Sequence, residues 1–347
     1  MKRFLSGFAF LLALVASGTL HAADYRETAL RTARGFVVPR YEELAEETAK
    51  QAQAWDAYCK SPPPRDPASL DKAFGKAADA WAKIEFLRYG PIGESFRFER
   101  MAHWPERRNA VSRALSNLIG RPDAEVFSPE RFGETSVAGQ GLSALERLLF
   151  EDETRSALRS GAASAERLCR IGQAIADGLA STSRDVAQKW RSETLPMLES
   201  ADEPRAREAV TRFATELLTG SEVTEDLKLA GPLGKNIDAA RPTLAEMWRS
   251  GRAARAIRLN LESAHDLAKA LLGAQPGEGA GALDSIAAAG SIAANVPDDL
   301  GEAAADPRRR PQVVLLRDAV SSAREITAAT LPPALGITTG FNSLDGD

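Results

Sequence analysis

Apolar residues in this chain recur every three or four positions and almost nowhere every second. The clearest run is Leu70, Phe74, Ala77, Trp81, Ile84 and Leu87, which falls on one face of a helix with about 3.6 residues per turn. The same spacing joins Tyr41 to Leu44 and Trp55 to Cys59. It marks a long stretch through Leu168, Ile171, Ile175, Leu179, Val186 and Trp190, and another through Val210, Phe213, Ala214 and Leu217. A chain with this period and hardly any alternating segments buries its apolar surface by packing helix on helix. The pattern predicts an all-α fold of two packed helical-bundle halves with about eight substantial helices.

Breaks between the periodic stretches set the expected order. The heptapeptide SPPPRDP (61–67) cannot continue a helix and predicts a tight turn between two antiparallel helices. Residues 88–105, rich in Gly, Pro and aromatics, predict a long connection of the kind that often carries function. Further helices are expected near 106–119, 135–150, 164–199, 204–229, 253–272 and 312–330, with room for one short helix in the Gly- and Ala-rich stretch 273–311. The expected halves are about 24–200 and about 201–347.

The first residues read as an export signal. Lys2 and Arg3 precede an apolar run, Phe4 to Val15, and a small-residue exit at Leu20-His21-Ala22 or His21-Ala22-Ala23, so residues 1–22 are expected to be removed. The run is short against the roughly 20 residues of a membrane span. The expected location is therefore the periplasm, with no transmembrane segment in the mature chain. Loss of Lys2 and Arg3 takes the formal net charge from −4 to −6. The charges are mixed along the chain, which leaves no basic stripe for nucleic acid. Cys59 and Cys169 are the two cysteines of the sequence, and in an oxidising compartment they are expected to pair.

Few residues point to chemistry. Of three histidines, His21 leaves with the signal, so His103 and His265 remain. Glu262 and His265 form one E-x-x-H on a predicted helix, but a di-iron bundle needs two such motifs and further glutamates, so this pair reads as a solvated face. No G-x-S-x-G elbow, phosphate-binding loop or dinucleotide fingerprint occurs, and no cofactor is expected. What remains is a scatter of polar residues near predicted breaks: Glu85 and Arg88, then Arg97, His103 and Trp104, then Ser143 and Glu146, Arg249, and Asn342, Asp345 and Asp347 in the tail.

Several short motifs in order carry a resemblance. W-A-K-I-E-F-L-R-Y-G-P (81–91), H-W-P-E (103–106), G-x-S-x-x-E (141–146) followed by R-L-L-F, W-R-S-G-R (248–252) with R-x-N-L (258–261), and G-F-N-S-L-D-G-D (340–347) together resemble the imelysin-like proteins. The resemblance implies an all-helical fold of two bundle-like halves with a site between them. It also implies an exported protein, often connected with bacterial iron uptake. The family was first classed as metallopeptidase on a G-x-H-x-x-E motif whose His and Glu were taken as metal ligands.

In this sequence Ser143 stands where that histidine would be. A hydroxyl that stays protonated at neutral pH is a poor ligand beside an imidazole, and Glu146 alone is short of the three protein ligands of a catalytic zinc. Peptidase activity is therefore not carried over. The resemblance instead locates a cleft, expected to be lined by Glu85, Arg88, Trp104, Ser143, Glu146, Arg249 and Asp345, with Ser143 and Glu146 hydrogen-bonded to each other. The expected function is an exported binding or accessory protein linked to iron uptake, taking a small polar ligand or a membrane partner of that system. The alternative is a metal-dependent peptidase with a rearranged site that draws in His103.

Overall fold

The computed structural model describes residues 25–121, 125–161 and 163–338. The expected signal (1–22) and the tail residues Asn342, Asp345 and Asp347 lie outside them. No strand occurs among the described residues, and none of their helices is long and apolar enough to cross a membrane.

The chain enters as α1 (Tyr25–Thr32), passes a π turn (Ala33–Val37) and continues as α2 (Val38–Lys60). After the Pro-rich turn, α3 (Ala68–Ala82) runs back along it. Lys83 at the far end of α3 meets Glu43 near the start of α2 at 2.6 Å, so the two are antiparallel, as the heptapeptide predicts. Short helices α4 (Arg97–Met101) and α5 (Ala110–Gly120) lead into α6 (Leu142–Phe150), α7 (Asp152–Ser160) and the long α8 (Ala163–Lys189).

Helix α8 lies against α2. Gly172 permits this approach, because a Cβ there would fall 2.2 Å from the ring of the fully buried Trp55. The same pair of helices carries the expected Cys59–Cys169 disulfide, with Cα atoms 5.7 Å apart.

The second group is α9 (Glu203–Glu222), α10 (Ala253–Leu272), α11 (Ala280–Ala293) and α12 (Arg310–Ala334). Asp202 starts α9 by accepting the amide of Arg205 at 3.2 Å, one turn inside a helix that has Pro204 in its first turn. Helix α1 packs against this second group. Arg31 donates to the carbonyls of Ala270 and Leu271 at 2.8 and 2.9 Å, and the Tyr25 hydroxyl to Gly336 at 2.9 Å.

The Trp190 ring lies near-parallel to those of Tyr41 and Phe213, with ring centres 6.3 and 6.4 Å away. Buried side chains from both halves join one continuous core around it.

One boundary differs from the sequence pattern. The first helix begins at Tyr25, ahead of the apolar positions that start at Tyr41, and reaches Pro39 through a π turn. Two more π turns, Trp190–Thr194 and Val223–Leu229, also precede a proline, Pro196 and Pro232. A proline ring crowds the carbonyl four residues back and offers no N–H to it. The wider turn relieves both problems, and the helix runs on through Pro39 and Pro196. Within the stretch Gly231-Pro232-Leu233-Gly234 the helix ends at Gly234, whose φ of 60° leaves the helical region.

Candidate functional site

Several polar contacts between the two halves fall along one seam. There, acids from the first half meet basic or hydrogen-bonding residues from the second, whereas Arg40 and Asp266, 2.6 Å apart, pair in the reverse sense. Asp79 of α3 receives Arg255 at 2.7 and 2.8 Å and also pairs with Arg252. Glu151 receives Arg249 at 2.9 Å. Between these ends lie two adjoining cavities of about 240 and about 420 Å³, with Trp104, Pro105, Leu227 and Glu246 in the walls of both.

The inner cavity is built on a buried ammonium. Lys228, 4% exposed, lies within 2.6 Å of Glu246, pairs with Glu85, and donates to the Asn260 side-chain carbonyl at 2.8 Å. Asn260 turns its amide the other way, to the Ala82 carbonyl at 2.6 Å and to Glu85 at 2.7 Å. Lys228 falls within the Val223–Leu229 π turn. Above this network the Lys228 ammonium faces the Trp104 ring at 5.7 Å, and Arg88 stacks over Phe98 at 4.0 Å.

The outer cavity is built on Glu146, in the second turn of α6. Gly141 brings that helix start against the chain at Arg100 and Met101; a Cβ there would sit 3.0 and 2.8 Å from their carbonyl oxygens. Glu146 is 4% exposed, and one of its oxygens accepts both the Ser250 amide at 2.9 Å and the Ser250 hydroxyl at 2.8 Å. The expected Ser143–Glu146 hydrogen bond is thus not made: Ser143 lines the same cleft, but the donor to Glu146 comes from the second half of the chain. A helix holds residues three apart on one side without aiming their polar atoms at each other, and Ser250 offers two donors at once.

Electrostatics follow from burial. Loss of water raises the Glu146 carboxyl above its ordinary value, while the two Ser250 hydrogen bonds and the Arg249 and Arg147 charges pull the other way. Glu246 is pushed up to about 7, first by burial and then by the Glu85 charge, with Lys228 opposing. Burial works against the Lys228 ammonium as well, but Glu246 and Glu85 outweigh it and hold it charged. Glu85 and Glu246 therefore share one internal cation. Near the mouth, Arg147 pairs with Glu106 at 2.8 Å and Glu151 at 2.7 Å, and Arg249 stacks on Trp248 at 4.4 Å.

The donor set does not suit a catalytic metal. The motif's histidine is replaced by Ser143, the Glu146 oxygen is held by two hydrogen-bond donors, and Glu85 and Glu246 already neutralise an ammonium. No cluster of three or more His, Cys, Asp or Glu among the described residues could hold a metal ion. His103 lines the outer cavity. What the arrangement offers is a polar, aromatic-walled cleft with fixed donors and acceptors and one acid, Glu246, that titrates near neutrality.

Of the residues expected from the sequence, Glu85, Arg88 and Trp104 line the inner cavity, and Trp104, Ser143, Glu146 and Arg249 line the outer one. Asp345 lies outside the described residues. Arg97 is engaged elsewhere, with Asp185 at 2.7 Å, and Glu262 borders a separate crevice with Arg40 and Lys83.

Lys228, Glu246, Ser250 and Asn260 were not among the expected site residues. A signal for Lys228 exists: it lies on the apolar stripe of Phe213, Leu217 and Thr224, where a lysine on a core-facing position needs a partner. Ser250 and Asn260 sit inside two of the motifs that carry the resemblance.

Comparison with known proteins bears on the family and the fold. The family model described as Imelysin (peptidase M75) matches residues 37–326. Among solved structures, an imelysin-like protein from Psychrobacter arcticum 273-4 aligns with a TM-score of 0.74 at 20% identity, covering 92% of this chain and 98% of that one. A protein described as an iron-regulated protein A precursor from Parabacteroides distasonis ATCC 8503 aligns with a TM-score of 0.69 at 14% identity, covering 91% and 97%. No curated protein matches significantly.

Proposed function

This chain belongs to the imelysin family, and from that premise we propose that it is an exported binding or accessory protein of iron uptake whose cleft takes a small polar ligand and does not hydrolyse peptides. The observation that carries this reading is the Lys228 ammonium held between Glu85 and Glu246. It supplies internally the positive charge that a metal ion would otherwise bring to these carboxylates. Export rests on the N-terminal signal pattern of residues 1–22. The link to iron rests on the structural relative described as an iron-regulated protein A precursor.

The test is a thermal-shift and calorimetric screen of the purified mature chain against iron salts, iron chelates and small polar metabolites. A saturable ligand whose binding is lost in Trp104→Ala supports the reading. Absence of any ligand-dependent shift across the screen overturns it.

A second reading, a metal-dependent peptidase with a rearranged site, is favoured by one observation: His103 lines the same cavity as Glu146. It requires chelator-sensitive cleavage of a peptide library that disappears in both His103→Ala and Glu146→Ala.

A further inference from the structure

A larger cavity, about 560 Å³, lies away from the seam, between α2, α8 and the segment 127–140. Two arginines one turn apart on α4 behave differently there. Arg97 is fully engaged, by the Pro91 carbonyl at 2.8 Å, Glu94 at 3.1 Å and Asp185 at 2.7 Å. Arg100 lines the cavity, and its Nε is buried with no hydrogen-bond partner among the described residues. A charged group whose donors lack acceptors is unfavourable, and an anionic occupant supplies acceptors to the face that Arg100 turns to the cavity.

The rest of the cavity says what the occupant would look like. Phe127, Pro129, Phe132 and Ala174 form an apolar wall. The wall is built in advance: the buried Gln140 side chain ties down the turn behind Phe132, donating to the Phe132 carbonyl at 3.2 Å and the Thr135 carbonyl at 2.8 Å. A second guanidinium, Arg184, also lines the cavity, and among the described residues Asp177 is the one acid in its lining. Burial and the neighbouring Asp56 charge move the Asp177 carboxyl up, toward its neutral form. The charge balance of the cavity is therefore positive.

We propose that this cavity is a second ligand site, separate from the cleft, that takes a small carboxylate with an aryl-sized apolar body. The carboxylate pairs with the Arg100 guanidinium through the N–H groups that it turns to the cavity. The body rests against Phe127 and Phe132. A neutral isostere keeps the apolar contact and loses the charged one, so the site discriminates by charge.

The experiment is calorimetric titration of the purified mature chain with 3-phenylpropionate and, separately, with 3-phenylpropionamide. The acid should bind saturably at one site and the amide at least about tenfold more weakly. Arg100→Gln should weaken the acid by a similar factor, while Trp104→Ala in the cleft should leave it unchanged. Gly178→Phe gives an independent check: a Cβ at Gly178 meets no atom within 4 Å, so a ring there fills the cavity from α8 and should abolish binding even where Arg100→Gln does not fold. Equal affinity for acid and amide, an unweakened Arg100→Gln or Gly178→Phe, or no saturable heat with the acid overturns the proposal.

Discussion

Ser250 gives both its backbone N–H and its hydroxyl to a single oxygen of Glu146, from a loop more than a hundred residues further along the chain. Removing the hydroxyl leaves the carboxylate buried with less compensation. Ser250→Ala should lower stability by about 1–3 kcal/mol in urea unfolding. The lost bonds favour the charged form, and burial already raises the Glu146 carboxyl, so the loss should be larger at pH 7.5 than at pH 5.

Glu246 sets a second pH dependence. Its folded-state value near 7 lies above the ordinary 4.5, so the unfolded chain releases this proton at lower pH than the folded one. The associated stability is fully present below about pH 4.5 and is lost as the pH rises to about 7. The decline should be on the order of 3 kcal/mol. Denaturant titrations at pH 5 and pH 7.5 should show it in the natural chain and show a flatter response in Glu246→Gln. An unchanged slope in the variant would assign the dependence to other groups.

Lys228 and its two acids should behave as a unit. Lys228→Met leaves Glu85 and Glu246 buried without their cation and should destabilise by about 3–5 kcal/mol. Adding Glu85→Gln and Glu246→Gln to that variant removes the stranded charges, and the triple variant should recover most of the loss. Three additive effects, measured by urea unfolding, would show that the groups do not interact.

The disulfide closes a loop with a sequence separation of 110 residues. On chain-entropy grounds its removal in a Cys59→Ala/Cys169→Ala double variant should lower stability by about 4–5 kcal/mol. The urea midpoint of the variant, compared with the oxidised natural chain, measures it.

Much of this architecture is legible in the sequence, for identifiable reasons. The stripe from Leu70 to Leu87 and the one from Leu168 to Trp190 are long and regular, so period alone finds α3 and α8. Helix α7 escapes because Leu158 is its one buried apolar residue, which leaves the period with nothing to repeat. Helix α1 escapes because Pro39 reads as a start, and the π turn before it cannot be seen in residue spacing.

The site divides in the same way. Glu85, Trp104 and Glu146 sit in short motifs and line the cavities at the seam, whereas their partners are set by tertiary packing. Nothing local to Ser250 says that it will cap Glu146, and nothing local to Lys228 says which acids will surround it.

The claim that an internal ammonium, not a metal ion, balances the carboxylates of this cleft is tested most directly by elemental analysis. The mature chain should be purified without a tag or chelator, and measured beside Glu146→Ala. Zinc, iron and manganese at a small fraction of one equivalent, with no difference between the two proteins, is the expected result. One equivalent of any of them in the natural chain that disappears in Glu146→Ala would contradict it.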